Sequence, residues 1–365
     1  MPTPSLDFLL LSKAMSEHLP DVDIQFDCYR DRGYRDGGAL LGHIGSIIHQ
    51  LWLMATSQAC IVDGYCPAVS TVRKGKRPVV VQIWHALSSV KKFGWQSVGT
   101  PAGRKLNQAQ DLCMHRNYDL VVAGGESSRP GLAAAFDMPV SSIVALGLPR
   151  LDYLFSDDER IQAMRQAAQQ EVTKRYTAFV DQNLVKIVYA PTFRKIRGGP
   201  SPLPTVVETL VRAMPAEEFA VLVAWHPSDD SQGLPALSAV SARDVRTIDL
   251  VAFADYVVTD YSSIGLEAGL LGKKVLFYVP DIDDYRVSPG LNLDPEHEFP
   301  LISFRKPGAL VDYIRKSPKD DDYAAAGLWA YCDGFRPQAD GACSQRIARL
   351  VAGLIDTSEA MADAC

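Results

Sequence analysis

The sequence predicts an α/β protein made of two doubly wound, parallel-sheet domains that face each other across a cleft. Three observations lead there. Short, almost continuously apolar runs recur along the chain, amphipathic helical patterns separate many of them, and a polar stretch without Gly or Pro breaks the rhythm near the middle. Strands alternating with helices make βαβ units. Runs that are nearly continuously apolar suit strands covered on both faces. A chain of 365 residues is long enough for two such domains.

The apolar runs are residues 59–63, 79–84, 120–124, 143–146, 185–190, 220–225, 256–259 and 274–279. Between them, Leu40, Leu41, Ile44, Ile47, Ile48 and Leu51 recur at helical spacing, and residues 44–53 read as a core helix. Residues 157–182, rich in Gln, Ala and Arg, read as an exposed helix, so the domain boundary is placed at 152–156. A second α/β unit follows, and a last helix covers about 344–355.

Composition narrows the function. A net charge of −6 argues against a general nucleic-acid binder while permitting a local basic pocket. The seven cysteines form no CxxC pair and no metal-ligand spacing, which suits reduced thiols in a cytosolic setting. No apolar stretch reaches membrane-spanning length and no signal peptide opens the chain, so neither a spanning nor an exported protein is expected. Peripheral membrane contact stays open.

The chemistry-bearing residues sit at the ends of the predicted strands. His85 closes the run 79–84, and Lys91 and Lys92 follow it. Thr192 and Arg194 follow 185–190, His226 follows 220–225, and Thr259-Asp260-Tyr261-Ser262-Ser263 follows 256–259. Ser262 or Ser263 would cap a helix whose free N–H groups and positive dipole end suit a phosphate. Glu267, one turn on, could accept hydrogen bonds from ribose hydroxyls. Each residue has a plainer account: an ordinary cap, a turn before Pro227, a solvated basic loop with Lys195 and Arg197, an exposed helix face. His85 by itself fits a structural histidine better than a catalytic one. The convergence of all of them on strand ends favours one site.

Other chemistries leave no mark. The Gly-Gly pairs at 37–38, 124–125 and 198–199 form no GxGxxG fingerprint, and GxxxxGK[ST] and GxSxG are absent. Asp283-Asp284 and Asp320, Asp321 and Asp322 lack metal-site spacing and read as solvated loops.

The stretches "QIWHALSSVKKFG" (82–94), "NYDLVVAGGESSRPGLAAAF" (117–136), "LGLPRLDYLF" (146–155), "YAPTFR" (189–194), "WHP" (225–227), "FADYVVTDYSSIGLEAGLLGKKVLFY" (253–278), "DIDDY" (281–285) and "DGACSQRI" (340–347) together resemble the CDP-glycerol:glycerophosphate glycerophosphotransferase family of teichoic-acid and capsule primases and polymerases. The resemblance implies a GT-B fold of two Rossmann-like domains. Residues 1–155 would form the acceptor side, 156–335 the donor side, and 336–365 a helix packing back on the first domain.

It implies transfer of glycerol phosphate or a related polyol phosphate from CDP-glycerol or CDP-ribitol to an acceptor hydroxyl, with release of CMP. The acceptor would be a polyol-phosphate chain or a lipid-linked glycan, met in the cytoplasm or at the inner membrane face. No cofactor or metal is implied, because the CDP-polyol is a substrate. Carried onto this chain, His85 would be the general base and His226 a second essential histidine. Thr192, Arg194, Thr259, Asp260, Ser262, Ser263 and Glu267 would hold the donor, and Lys91 or Lys92 would contact acceptor or phosphate. The chain departs from the family's Trp-His-Gly-Thr-Pro at Ala86-Leu87-Ser88, and lacks its aromatic and Pro-Gly-Pro pattern at 285–303. A GT-B glycosyltransferase using a nucleotide sugar, and a non-catalytic carbohydrate- or nucleotide-binding relative, are the competing readings.

Overall fold

Two parallel sheets organise the chain. In the first, β1 (Ala59–Val62), β2 (Val79–Gln82), β3 (Leu120–Ala123) and β4 (Ile143–Ala145) lie side by side in chain order. The second contains β5 (Val185–Ala190), β6 (Phe219–Ala224), β7 (Val240–Ala242), β8 (Tyr256–Thr259), β9 (Lys274–Tyr278) and β10 (Ser303–Phe304), in the order β10-β9-β8-β5-β6-β7. This computed structural model describes residues 3–28, 37–73, 75, 78–180, 183–194, 201–225, 240–242, 245–317 and 322–363. His226, Lys195, Arg197, Asp320 and Asp321 lie outside the described residues.

All eight predicted runs are strands, and every register is parallel. The two strands not foreseen, β7 and β10, are 3 and 2 residues long at the edges of the second sheet. Strand β2 shows why the runs are nearly continuously apolar. Val79, Val81 and Ile83 face a core built with Leu11, Met15, Ile347 and Val351. Val80 points the other way, among Val121, Leu132 and Phe136. Successive side chains leave a strand on opposite faces, so burial on both sides demands an unbroken run.

The helix Cys343–Asp363 supplies Ile347, Ala348, Val351 and Ile355 to the first sheet's core, so the chain's last element completes its first domain. Its start is held by Asp152, whose carboxylate accepts the N–H groups of Cys343 and Ser344 at 2.7 Å each. Asp158 caps the helix Glu159–Arg175, the exposed segment predicted after the domain boundary.

The helix Gly37–Thr56 corrects the sequence reading. Residues 44–53 are not a core helix, because Ile44 is 45% exposed, Ile48 61% and Trp52 54%. Helical spacing identifies an apolar stripe without saying what covers it. Among the described residues, no helix is long and apolar enough to cross a membrane.

Numbering the second sheet's strands by themselves gives 3-2-1-4-5-6 from β7 to β10, with the order reversing between β5 and β8. The crevice outside the carboxyl ends of those two strands is where doubly wound sheets bind ligands.

Candidate active site

That reversal point is cross-braced by the residues that end the two strands. Thr259 donates to the Ala190 carbonyl at 2.8 Å. Asp260, fully buried, accepts the Thr192 N–H at 2.9 Å and the Tyr261 N–H at 2.6 Å, and its carboxylate meets Arg194 Nη1 at 2.9 Å. Arg194 Nε and Nη2 donate to Asp281 at 2.8 and 3.2 Å, and the guanidinium lies over the stacked Tyr261 and Tyr285 rings. Burial opposes the Arg194 charge, but Asp260 and Asp281 hold its pKa above the ordinary value. Its cation is therefore balanced within the protein. Ser262 and Ser263, half-buried, stand at the start of the helix Ile264–Leu270, where Ser263 makes no side-chain cap bond.

The facing wall comes from the loop after β2. Trp84 adopts φ +54°, a left-handed conformation that costs an L-residue roughly 1–2 kcal/mol. Gln82 holds it there: the fully buried amide accepts the Trp84 N–H at 2.8 Å and donates to the Gly64 carbonyl at 2.9 Å. The Trp84 ring stacks on Phe93, with centroids 4.3 Å apart. This reversal turns His85 out of the strand, where its ring is solvent-accessible but surrounded by protein, as on a cleft wall. His85 Nδ1 lies 2.7 Å from the Asp63 carbonyl oxygen. A carbonyl only accepts, so Nδ1 carries the proton and Nε2 presents its lone pair. Burial, with Arg150 and Lys91 nearby, lowers the His85 pKa below the ordinary 6.5, which favours the neutral ring.

The same loop reaches the other domain. Lys91 pairs in an antiparallel bridge with Leu291, and the Lys92 N–H donates to the Gly290 carbonyl at 2.9 Å. The Lys91 ammonium senses Asp260 and Arg194, and burial lowers its pKa. It forms no ion pair among the described residues. A half-buried lysine without an ion pair among the described residues thus stands beside Asp260 and Arg194, whereas the Lys92 side chain is exposed.

Arg150 ties the domains at the floor. It clasps Asp7 of the helix Leu6–His18 through Nε, Nη2 and its own backbone N–H, and Nη1 reaches Glu267 Oε1 at 3.2 Å. Burial raises the Glu267 pKa against the pull of Arg150.

Beneath Trp84 lie His115, Tyr118 and Phe136, with His115 Nδ1 3.0 Å from the Tyr118 hydroxyl. Burial pushes the His115 pKa down to about 4. The folded state refuses a proton that the unfolded chain accepts near 6.5, so stability falls as pH drops through that interval. The loss is expected to reach roughly 3 kcal/mol. Urea unfolding of a His115→Phe variant at pH 7 and pH 4.5 checks this, with a smaller acid loss than in the wild type as the expected result.

Residues 3–353 match the model of the family described as CDP-Glycerol:Poly(glycerophosphate) glycerophosphotransferase. The chain belongs to this family. It is a polyol-phosphate transferase, and its curated relatives carry that chemistry in their names. The teichoic acid ribitol-phosphate primase of Bacillus spizizenii is 28% identical over 87% of this chain and 81% of its own length. The teichoic acid glycerol-phosphate primase of Bacillus subtilis is 25% identical over 85% of this chain and 77% of its own. The Bacillus spizizenii poly(ribitol-phosphate) polymerase is matched at 26% identity over only 48% of its length. The wall teichoic acid polymerase TagF superposes with a TM-score of 0.67 at 18% identity, covering 96% of this chain and 85% of that one, which gives the transferase the same two-domain GT-B fold.

In this transferase Lys91 lies near Arg194 and Asp260, and His85 lies near Lys91 and Arg150, which pairs with Glu267, while Thr192, Thr259, Ser262 and Ser263 complete the strand-end set. Of these, Thr192, Thr259 and Asp260 are buried in mutual hydrogen bonds, and Arg194 and Glu267 are ion-paired, so they shape the crevice walls. Sequence reasoning missed Gln82, Asp63 and Arg150. Gln82 left a signal, as the one polar residue inside an apolar run. Removing the Asp260 charge leaves Arg194 with Asp281 alone, and Asp260→Asn is expected to destabilise the fold by about 3 kcal/mol, read by urea unfolding.

Proposed function

We propose that this transferase moves a polyol phosphate from a CDP-polyol to a hydroxyl on a teichoic-acid-type acceptor, with His85 as general base. The observation that carries this reading is the single loop that presents the His85 lone pair and then brings Lys91, which forms no ion pair among the described residues, beside Asp260 and Arg194 at the second sheet's crevice. The donor pyrophosphate would occupy the carboxyl ends of β5 and β8, contacted by Ser262, Ser263 and Lys91. Arg194 and Asp260 would hold that wall rigid, and Glu267 would face the ribose. The acceptor hydroxyl gives its proton to His85 Nε2 as its oxygen bonds to the β-phosphorus. The bond from that phosphorus to the bridging oxygen breaks, and CMP leaves with the electron pair. A half-buried cation acting on the developing charge suits this step. His226 remains a proposed second histidine.

CDP-glycerol and CDP-ribitol are the proposed donors, following the relatives named for each polyol phosphate. Incubation with either donor and a glycerol-phosphate acceptor should release CMP. Stabilisation by UDP-sugars alone would overturn the donor assignment.

We further propose that the reaction occurs at the cytoplasmic membrane face. Ile44, Ile48, Leu51 and Trp52 fall on one side of the helix Gly37–Thr56, which contains no Asp, Glu, Lys or Arg, while its Met54 is anchored in the core. The exposed apolar stripe supports insertion at a lipid interface, and it does so without the basic polar face common in such helices. The protein is expected to float with phosphatidylglycerol-containing vesicles, and Ile48→Glu with Trp52→Glu should reduce the floating fraction at least fivefold.

A further inference from the structure

Between the domains, beside the loop that carries His85, lies a pocket of about 360 Å³. Ser88, Ser89, Gln96 and Ser127 line it from the first domain, and Asn292, Glu298 and Tyr331 from the second. Its polar groups already hold one another in place. The Ser88 and Tyr331 hydroxyls are 3.1 Å apart. Gln96 and Asn292 exchange amide hydrogen bonds at 2.8 and 3.1 Å, and Asn292 Nδ2 also donates to Ser89 Oγ at 3.3 Å.

The lining contains hydroxyls, amides and one carboxylate, but no Lys, Arg or His. A phosphate would find no cation here and would meet the Glu298 charge. Vicinal hydroxyls, in contrast, can both donate to and accept from such groups. Pro130 and Leu293 add apolar surface for the carbon skeleton. Gly131 keeps the space open, since a Cβ there would lie 2.3 Å from Ser89 Oγ and 3.4 Å from Asn292 Nδ2. Ser88 follows His85 by three residues, so at most about 11 Å of chain separates the pocket wall from the base.

We infer that this pocket is a subsite for an uncharged polyhydroxylated residue of the acceptor, a polyol or a pyranose, which it holds while a neighbouring hydroxyl meets His85. The inference rests on the transfer reading above. The same chemistry could come from the polyol of the donor. The acceptor is favoured because no lining residue comes from the ends of β5 or β8, where the donor phosphates are proposed to sit.

Two variants test it: Gly131→Val fills the pocket, and Asn292→Ala removes the hub of its hydrogen bonds. Saturation-transfer NMR with ribitol and with a methyl glucoside as probes should detect binding to the wild type, with the signal reduced at least fivefold in both variants. Calorimetric CDP binding should stay within twofold, which also shows that the variants are folded. In turnover, the acceptor KM should rise at least tenfold with the CDP-polyol KM unchanged. A rise confined to the CDP-polyol KM would give the pocket to the donor and overturn the inference. Absent probe binding, or unchanged probe signals and acceptor KM in both variants, would overturn it too. Failure of the wild type to turn over any CDP-polyol would instead sink the transfer reading, while the NMR arm still decides whether the pocket binds polyols.

Discussion

His85→Gln is expected to lower kcat/KM for polyol-phosphate transfer by about 10²- to 10⁴-fold, the usual contribution of a positioned base. The wild-type ring has its tautomer fixed by the Asp63 carbonyl and its charge disfavoured by burial, Arg150 and Lys91. Its pKa therefore lies below 6.5, and the wild-type rate should hold at pH 7 and fall only as pH drops through that lowered value. CDP binding should be unaffected, because the ring belongs to the first domain. A variant with full turnover, or one whose acid limb matches the wild type, would remove His85 from the mechanism. Fold integrity is checked by thermal melting, where the exposed ring predicts a change of no more than a few degrees.

Lys91→Met is expected to cost roughly 10²- to 10³-fold in kcat, comparable to losing a fixed donor to developing charge. The argument rests on imbalance. Arg194 has two carboxylates, whereas Lys91 is a half-buried cation that forms no ion pair among the described residues. A cation held that way is costly until an anion arrives, and a pyrophosphate would push its lowered pKa back up. Weaker CDP-polyol binding should accompany the loss, with CMP affected less because it lacks the β-phosphate. Retained donor affinity with full turnover would show that Lys91 stabilises the domain contact alone.

The strands were legible because each had to bury both faces, which forces runs such as Val79-Val80-Val81. The edge strands β7 and β10 were not, since a strand of 2 or 3 residues carries no pattern. The helix Gly37–Thr56 shows the converse limit, as its spacing was read correctly and its burial was not. At the site, residue type and position at a strand end found His85, Lys91 and the Thr192 to Glu267 set. What they could not give was pairing. Arg194 and Glu267 look like free ligand-binding groups in the sequence, and only the tertiary approach of Asp260, Asp281 and Arg150 shows their charges matched. The group that orients His85 is a main-chain carbonyl, which any residue at position 63 could supply. Of the residues that depart from the family pattern at Ala86-Leu87-Ser88, Ser88 lines the polar interdomain pocket.

The central claim is that donor phosphates sit between the His85 loop and the β5–β8 crevice. A crystal structure of the His85→Gln protein with CDP-glycerol tests it most directly. The account predicts the β-phosphate within hydrogen-bond reach of the Lys91 ammonium and the Ser263 hydroxyl, with the position 85 side chain facing the phosphorus. A nucleotide bound elsewhere, or a β-phosphate turned away from both Lys91 and position 85, would contradict it.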